Sequence, residues 1–327
     1  MSPDPSAPWA SRFDVLLLDL DGVVYAGAGA IPYAVTALNR VRDQGVHLAY
    51  VTNNASRPPS AVVAHLADLG LDAAEADVVT SAQAGARLIS ESLPAGAEVL
   101  VVGGEGLREA VHARGFQIVE DGLAHPAAVI MGFSPEIGWR QLAQATYAVT
   151  GGAEFFATNT DRTIPTADGI APGNGMLVAV VSQVTGVLPR IAGKPERPLM
   201  LESVERTSAR RPLVVGDRLD TDIAGARGAG LASLLVLTGV STVSDLLTAP
   251  PAQRPDYLAV DLRALLDGPA VLTADLAVDS EHVVRDPSWH WLEAVASTAL
   301  ECWQVADAGR DLDTETLARG LMASRPE

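Results

Sequence analysis

Asp19 and Asp21 stand two residues apart directly after the apolar run from Phe13 to Leu18, in the stretch Asp19-Leu20-Asp21-Gly22. Alternate residues of an extended segment leave the same face of the pleat, so both carboxylates can reach one substrate. One can attack an electrophile such as phosphorus while the other protonates the leaving alkoxide and later deprotonates water. Taken alone, Asp-x-Asp-Gly is more often a plain acidic turn. Other groups change that weighting. Asp217 closes a second apolar run, Pro212 to Val215, in Gly216-Asp217-Arg218, and Asp222 follows it. Magnesium prefers a few carboxylates together with waters and phosphate oxygens. Asp19 and Asp217 could supply those carboxylates and the backbone carbonyl of Asp21 a third protein oxygen. Asp222 is either an orienter behind that shell or a favourable charge at a helix N-terminus.

A third run, Val46 to Val51, ends in Thr52-Asn53-Asn54 before Pro58-Pro59 opens a helix. A hydroxyl and backbone N–H groups there can face a phosphate, with an ordinary helix cap as the equal alternative. Lys194 lies in Gly193-Lys194-Pro195. Most lysines are solvated surface charges, but the flanking Gly and Pro fix this backbone, and a cation is needed beside three carboxylates.

These residues require strands that end at a common edge. Unbroken apolar runs closed by polar turns are the pattern of parallel strands buried on both faces, and ligands of open parallel sheets bind outside their carboxyl ends. Ala34 to Gln44 reads as an amphipathic helix closed by Gly45, which joins the first two runs as a βαβ unit. A helix is expected from Asp222 to Ala229. About 140 residues separate Asn54 from Lys194, far more than the roughly 12 of one crossover, so an inserted domain is expected. Inside it, strands at Glu98 to Val102, Ala127 to Met131 and Phe155 to Ala157 alternate with helices near Gly106 to Ala113 and Trp139 to Val149. Gly103-Gly104-Glu105-Gly106 lacks the full Gly-x-Gly-x-x-Gly spacing and reads as a tight turn. The expected fold is α/β, a Rossmann-like parallel-sheet core with an inserted α/β domain and a C-terminal extension. The expected divisions are a tail at 1–10, core at 11–82, insert at 83–192, core again at 193–266, and an extension of open role at 267–327. The extension's clearest element is a helix from about Trp289 to Val305, with Trp289, Leu292, Ala296 and Trp303 on one face.

Composition narrows the function further. With 48% hydrophobic and 19% charged residues in 327, the chain can bury a full core. No apolar run reaches the roughly 18 residues of a membrane span, and the first residues lack an export signal's basic start, so a cytoplasmic protein is expected. The net charge of -17 disfavours nucleic acid. It also means that an anionic substrate needs a locally opposed field. Cys302 is the only cysteine, which excludes an internal disulfide and thiolate zinc sites.

Together the stretches Asp19-Leu20-Asp21-Gly22-Val23-Val24-Tyr25, Val51-Thr52-Asn53-Asn54, Gly193-Lys194-Pro195 and Gly216-Asp217-Arg218-Leu219-Asp220-Thr221-Asp222 resemble, in order, the four motifs of the haloacid dehalogenase superfamily. The resemblance covers roughly Phe13 to Leu266. The insert is similar to the larger α/β cap of the branch containing nitrophenyl-, phosphoglycolate and pyridoxal phosphate phosphatases. Thr158-Asn159-Thr160-Asp161 and Pro172-Gly173-Asn174-Gly175 match that cap, with Thr160 where the family usually has proline. The resemblance implies a Mg²⁺-dependent phosphomonoesterase of a small phosphorylated metabolite. In it Asp19 is nucleophile and metal ligand, Asp21 general acid/base, and Asp217 completes the metal site. Thr52, Asn53 and Lys194 hold the phosphoryl oxygens, and Asn54, Asn159 and Asp161 are candidates for the leaving group. With its C-terminal extension the chain resembles the glycerol-phosphate phosphatases of this branch, which implies glycerol 3-phosphate as substrate, with phosphoglycolate, pyridoxal phosphate and sugar phosphates as alternatives. A phosphomutase would share the four motifs, and a non-enzymatic binding module is disfavoured by their completeness. Homo-oligomerisation stays open.

Overall fold

The computed structural model describes residues 8–166, 168–272 and 289–326. Residues 1–7 of the expected tail, and residues 273–288 of the extension, lie outside them. The chain folds as two compact units. One comprises Met1–Tyr50, Asp68–Leu71 and Thr207–Glu327; the other comprises Val51–Ala67 and Asp72–Arg206.

In the first unit the strands Tyr257–Ala259, Ala232–Val236, Pro212–Gly216, Val15–Leu18 and residues 47–50 of the strand His47–Thr52 lie parallel in that order, with Ala270–Val271 antiparallel beyond Tyr257–Ala259. All four residues of Val15–Leu18 are buried, which is why that run carries no polar alternation. Leu18 pairs with Val215 in register, and the Asp19 N–H donates to the Val215 carbonyl at 2.9 Å. The register therefore sets Asp19 beside Gly216-Asp217. The expected helix after Asp217 is split into a wide turn, Leu219–Ile223, and a short helix, Ala224–Ala229.

The extension packs into this unit's core. Helix Trp289–Asp307 buries Trp291, Leu292, Val295, Ala296, Ala299, Cys302 and Trp303 against Leu246, Leu247 and Leu258. Trp291 takes the inner position expected of Trp289, which is only partly buried. The Trp303 indole N–H donates to the Leu246 carbonyl at 2.9 Å. Burial pushes the Cys302 thiol up, away from nucleophile chemistry.

The second unit holds a parallel sheet ordered Arg190–Ile191, Glu154–Ala157, Ala128–Met131, Glu98–Val102, Gln117–Val119. Helix Trp139–Thr150 and helix Asn174–Thr185 cover one face, closing a core of Leu100, Val129, Met131, Phe155, Val178 and Val181. The antiparallel hairpin Thr163–Thr166 with Gly169–Pro172 precedes the second of these helices. At the glycine-rich turn, a Cβ on Gly104 would lie 2.9 Å from the Ser56 carbonyl. The glycines there allow helix Glu105–Ala113 to pack closely on the backbone.

Candidate active site

Three carboxylates meet at the strand ends of the first unit. Asp19, Asp217 and Asp222 each offer an oxygen within 4.8 Å of the others. Asp217 and Asp222 are both 1% exposed and Asp19 is partly buried. Carboxylates so close and so poorly solvated repel one another, and a cation among them would offset that repulsion. An all-oxygen donor set without histidine or cysteine fits a hard divalent ion such as Mg²⁺. Asp222, left open between two readings in the sequence, stands in this group, and one of its oxygens accepts the Arg218 N–H at 3.1 Å. Asp220 does not: Arg218 pairs with it at 3.0 and 2.8 Å, a hydrogen bond that holds its carboxyl below the usual carboxylate range.

Asp21 is exposed and its carboxylate lies outside that trio. Gly22 follows with φ +85°, and a Cβ there would lie 2.6 Å from Asp217 Oδ2, so only glycine fits. The Gly22 N–H donates to the Tyr25 carbonyl at 2.8 Å. This bond fixes the peptide plane that also carries the Asp21 carbonyl.

The second unit gathers the other motif residues around one asparagine. Asn53 Oδ1 accepts the Lys194 backbone N–H at 2.8 Å, and its Nδ2 donates to the Lys194 carbonyl at 3.0 Å and to Asp161 Oδ2 at 3.2 Å. Its amide is thus committed to Lys194 and Asp161. Its backbone is braced too: Ser81 Oγ and Asn159 Nδ2 donate to the Asn53 carbonyl at 2.5 and 2.8 Å. Lys194 is 4% exposed, and its ammonium donates to the Val51 carbonyl at 3.2 Å. Thr52 is buried, and its hydroxyl accepts the Asn54 N–H at 3.0 Å. This is a local turn rather than a cap, because the helix Pro59–Asp68 begins later.

Among the leaving-group candidates, Asn159 is 5% exposed. Besides its bond to Asn53, its Oδ1 accepts the Asp161 N–H at 3.1 Å. Both ends of its amide serve backbone, which closes the Asx turn where Thr160 replaces the usual proline. Asn54 is exposed, and its Oδ1 accepts the Ser56 N–H and hydroxyl at 2.9 and 2.7 Å. Sequence reasoning gave no role to Ser81. Asn174 was legible only as part of the cap match, yet this buried residue's Nδ2 donates to the Asn159 carbonyl at 2.7 Å. The one signal available for Ser81 was its place after a capping Thr80.

The chain is similar to known proteins. Residues 16–117 match the haloacid dehalogenase-like hydrolase family and residues 191–265 the HAD-hydrolase-like family. Over 256 residues the chain is 48% identical to the D-glycerol 3-phosphate phosphatase of Mycobacterium tuberculosis, covering 78% of this chain and 72% of that protein. It is 39% identical over 236 residues to the acid sugar phosphatase of Staphylococcus aureus, covering 72% and 90%. The crystal structure of the M. tuberculosis glycerol phosphate phosphatase Rv1692 in complex with magnesium superposes with a TM-score of 0.82 at 42% identity, covering 91% of this chain and 92% of that one. The chain belongs to the haloacid dehalogenase-like hydrolases. Within that family it is a phosphatase.

Proposed function

We propose that this phosphatase is a Mg²⁺-dependent phosphomonoesterase of glycerol 3-phosphate that works through an aspartyl phosphate on Asp19. The observation that carries the chemistry is the trio Asp19, Asp217 and Asp222 within 4.8 Å. In this reading Asp19 attacks phosphorus. Exposed Asp21 protonates the departing alkoxide and then takes a proton from the water that hydrolyses the acyl phosphate. The Thr52 hydroxyl, the Asn53 backbone and the Lys194 ammonium hold the phosphoryl oxygens, and Asn53 fixes Lys194 in place. Asp19, Asp217 and the Asp21 carbonyl would hold Mg²⁺, with Asp222 beside them; when bound, the ion offsets carboxylate charge and stabilises the transferring phosphoryl group.

The choice of glycerol 3-phosphate rests on the 48% identity to the M. tuberculosis enzyme. The S. aureus relative supports a sugar phosphate as the second reading. Asp161 and Asn54, which are less buried than Asn159, are the candidates to meet the leaving group. Among the described residues no helix is long and apolar enough to cross a membrane, and we place the enzyme with its metabolite substrate in the cytoplasm.

The test is phosphate release from glycerol 3-phosphate, phosphoglycolate, pyridoxal phosphate and sugar phosphates, with and without EDTA. Glycerol 3-phosphate should show the highest kcat/KM, and chelation should stop turnover until Mg²⁺ is restored. A preferred sugar phosphate would replace the leaving group alone. Isomerised product in place of inorganic phosphate, or turnover indifferent to exhaustive chelation, would overturn the mechanism.

A further inference from the structure

One loop of the first unit bonds both to Asp217 and to Gly22 and belongs to none of the four motifs. It follows the strand Ala232–Val236 and runs through Thr238, Gly239, Val240 and Ser241. The Thr238 hydroxyl donates to the Gly22 carbonyl at 2.6 Å. Two residues on, the Val240 N–H donates to Asp217 Oδ2 at 2.6 Å. The Ser241 N–H donates to the Asp217 carbonyl at 3.0 Å, and the Ser241 hydroxyl accepts the Leu219 N–H at 2.9 Å. A Cβ on Gly239 would fall on the Asp217 carboxylate, so the loop approaches as closely as a chain can.

These bonds divide into two sets. Val240 and Ser241 orient Asp217 and the turn that carries Asp222. Thr238 acts instead on Gly22, a glycine at φ +85°. Gly22 is flexible by nature, and its N–H already bonds the Tyr25 carbonyl at 2.8 Å. With the Thr238 hydroxyl on its carbonyl, both polar groups of Gly22 are tied. The peptide bearing the Asp21 carbonyl is then fixed relative to Asp217 through a single short loop.

We propose that Thr238 is a positioning residue that sets the affinity of the carboxylate trio for a divalent cation by clamping Gly22 to the loop that orients Asp217. Its hydroxyl is spent on the Gly22 carbonyl. The proposal rests on the metal-site reading given above and adds a determinant outside its motifs. Partners of ligand groups commonly govern metal affinity about 10- to 100-fold.

The experiment is Mg²⁺ titration calorimetry on chelator-treated full-length protein, with no substrate present. It compares the native chain, Thr238→Val, Thr238→Ser and Asp217→Ala, each checked for its thermal melt. Thr238→Val keeps the shape and removes the hydroxyl; it should weaken Mg²⁺ binding about 10-fold. Thr238→Ser restores the hydroxyl and should bind as the native chain does. At saturating Mg²⁺ the valine variant should recover KM for substrate. If Thr238→Val binds Mg²⁺ as tightly as the native chain while Asp217→Ala does not, the clamp is wrong and the metal site stands. If Val and Ser variants lose affinity equally, the hydroxyl is not the cause and the clamp is overturned. If Asp217→Ala binds Mg²⁺ like the native chain, the metal-site reading fails and the clamp falls with it.

Discussion

The acidic trio and the lysine-centred cluster are built by different means. Asp19 and Asp217 are where they are because two buried parallel strands end in register, Leu18 beside Val215. Backbone N–H groups then aim the carboxylates, as the Val240 N–H does for Asp217 and the Arg218 N–H for Asp222. Lys194 is held by side-chain amides instead. Asn53 grips both its N–H and its carbonyl across 141 positions of sequence, and Asn159 grips Asn53 across 106. Strand register gives rigid placement at little cost in specific side chains. The amides hold the Lys194 backbone, while its buried ammonium, which water no longer stabilises, donates to the Val51 carbonyl.

The difference is open to attack from both ends. The largest effect is expected at the trio. Asp217→Ala removes one of three clustered carboxylates, and turnover should fall by roughly 1,000-fold or more at ordinary Mg²⁺, about 4 kcal/mol of transition-state stabilisation. Part of the loss should be regained at high Mg²⁺. A steady-state rate within threefold of native would show that the trio is not the catalytic metal site.

A smaller effect is expected from the web. Asn159→Ala deletes bonds to the Asn53 carbonyl and the Asp161 N–H, each of about 1 kcal/mol. It should lower kcat/KM about 10-fold, and equally for glycerol 3-phosphate and p-nitrophenyl phosphate if, as proposed, the loop that Asn159 braces holds the phosphoryl group common to both. A loss confined to glycerol 3-phosphate would make Asn159 a substrate contact and dissolve the contrast between the two clusters.

The same contrast explains what could be read from sequence. Val15–Leu18 and Pro212–Gly216 announce themselves as apolar runs, and their closing aspartates are legible because the signal is local. Lys194 was legible only by order and by its Gly and Pro neighbours. Its partners were not, since nothing in the residues around Asn53 shows that Asn159 and Lys194 return to it from beyond position 150. Asn159 was legible as one of the candidates for the leaving group, and in the structure both ends of its amide serve backbone. Thr238 escaped notice for the same reason: its partner Gly22 is 216 positions away. The extension's helix was visible through its tryptophans. The inward turn of Trp291 in place of Trp289 was not, because the registry of a helix on its neighbour depends on contacts such as Trp303 with Leu246.

Covalent catalysis by Asp19 is tested most directly by trapping its product. Enzyme mixed with Mg²⁺ and substrate is quenched within a turnover and treated with borohydride, which reduces an aspartyl phosphate to homoserine, and the peptide spanning Leu16 to Tyr25 is sequenced by mass spectrometry. Homoserine should be found at position 19, with Asp21 unchanged, and should vanish in Asp19→Asn. Homoserine at position 21, or none at either position while phosphate is released, would contradict the assignment of Asp19 as nucleophile.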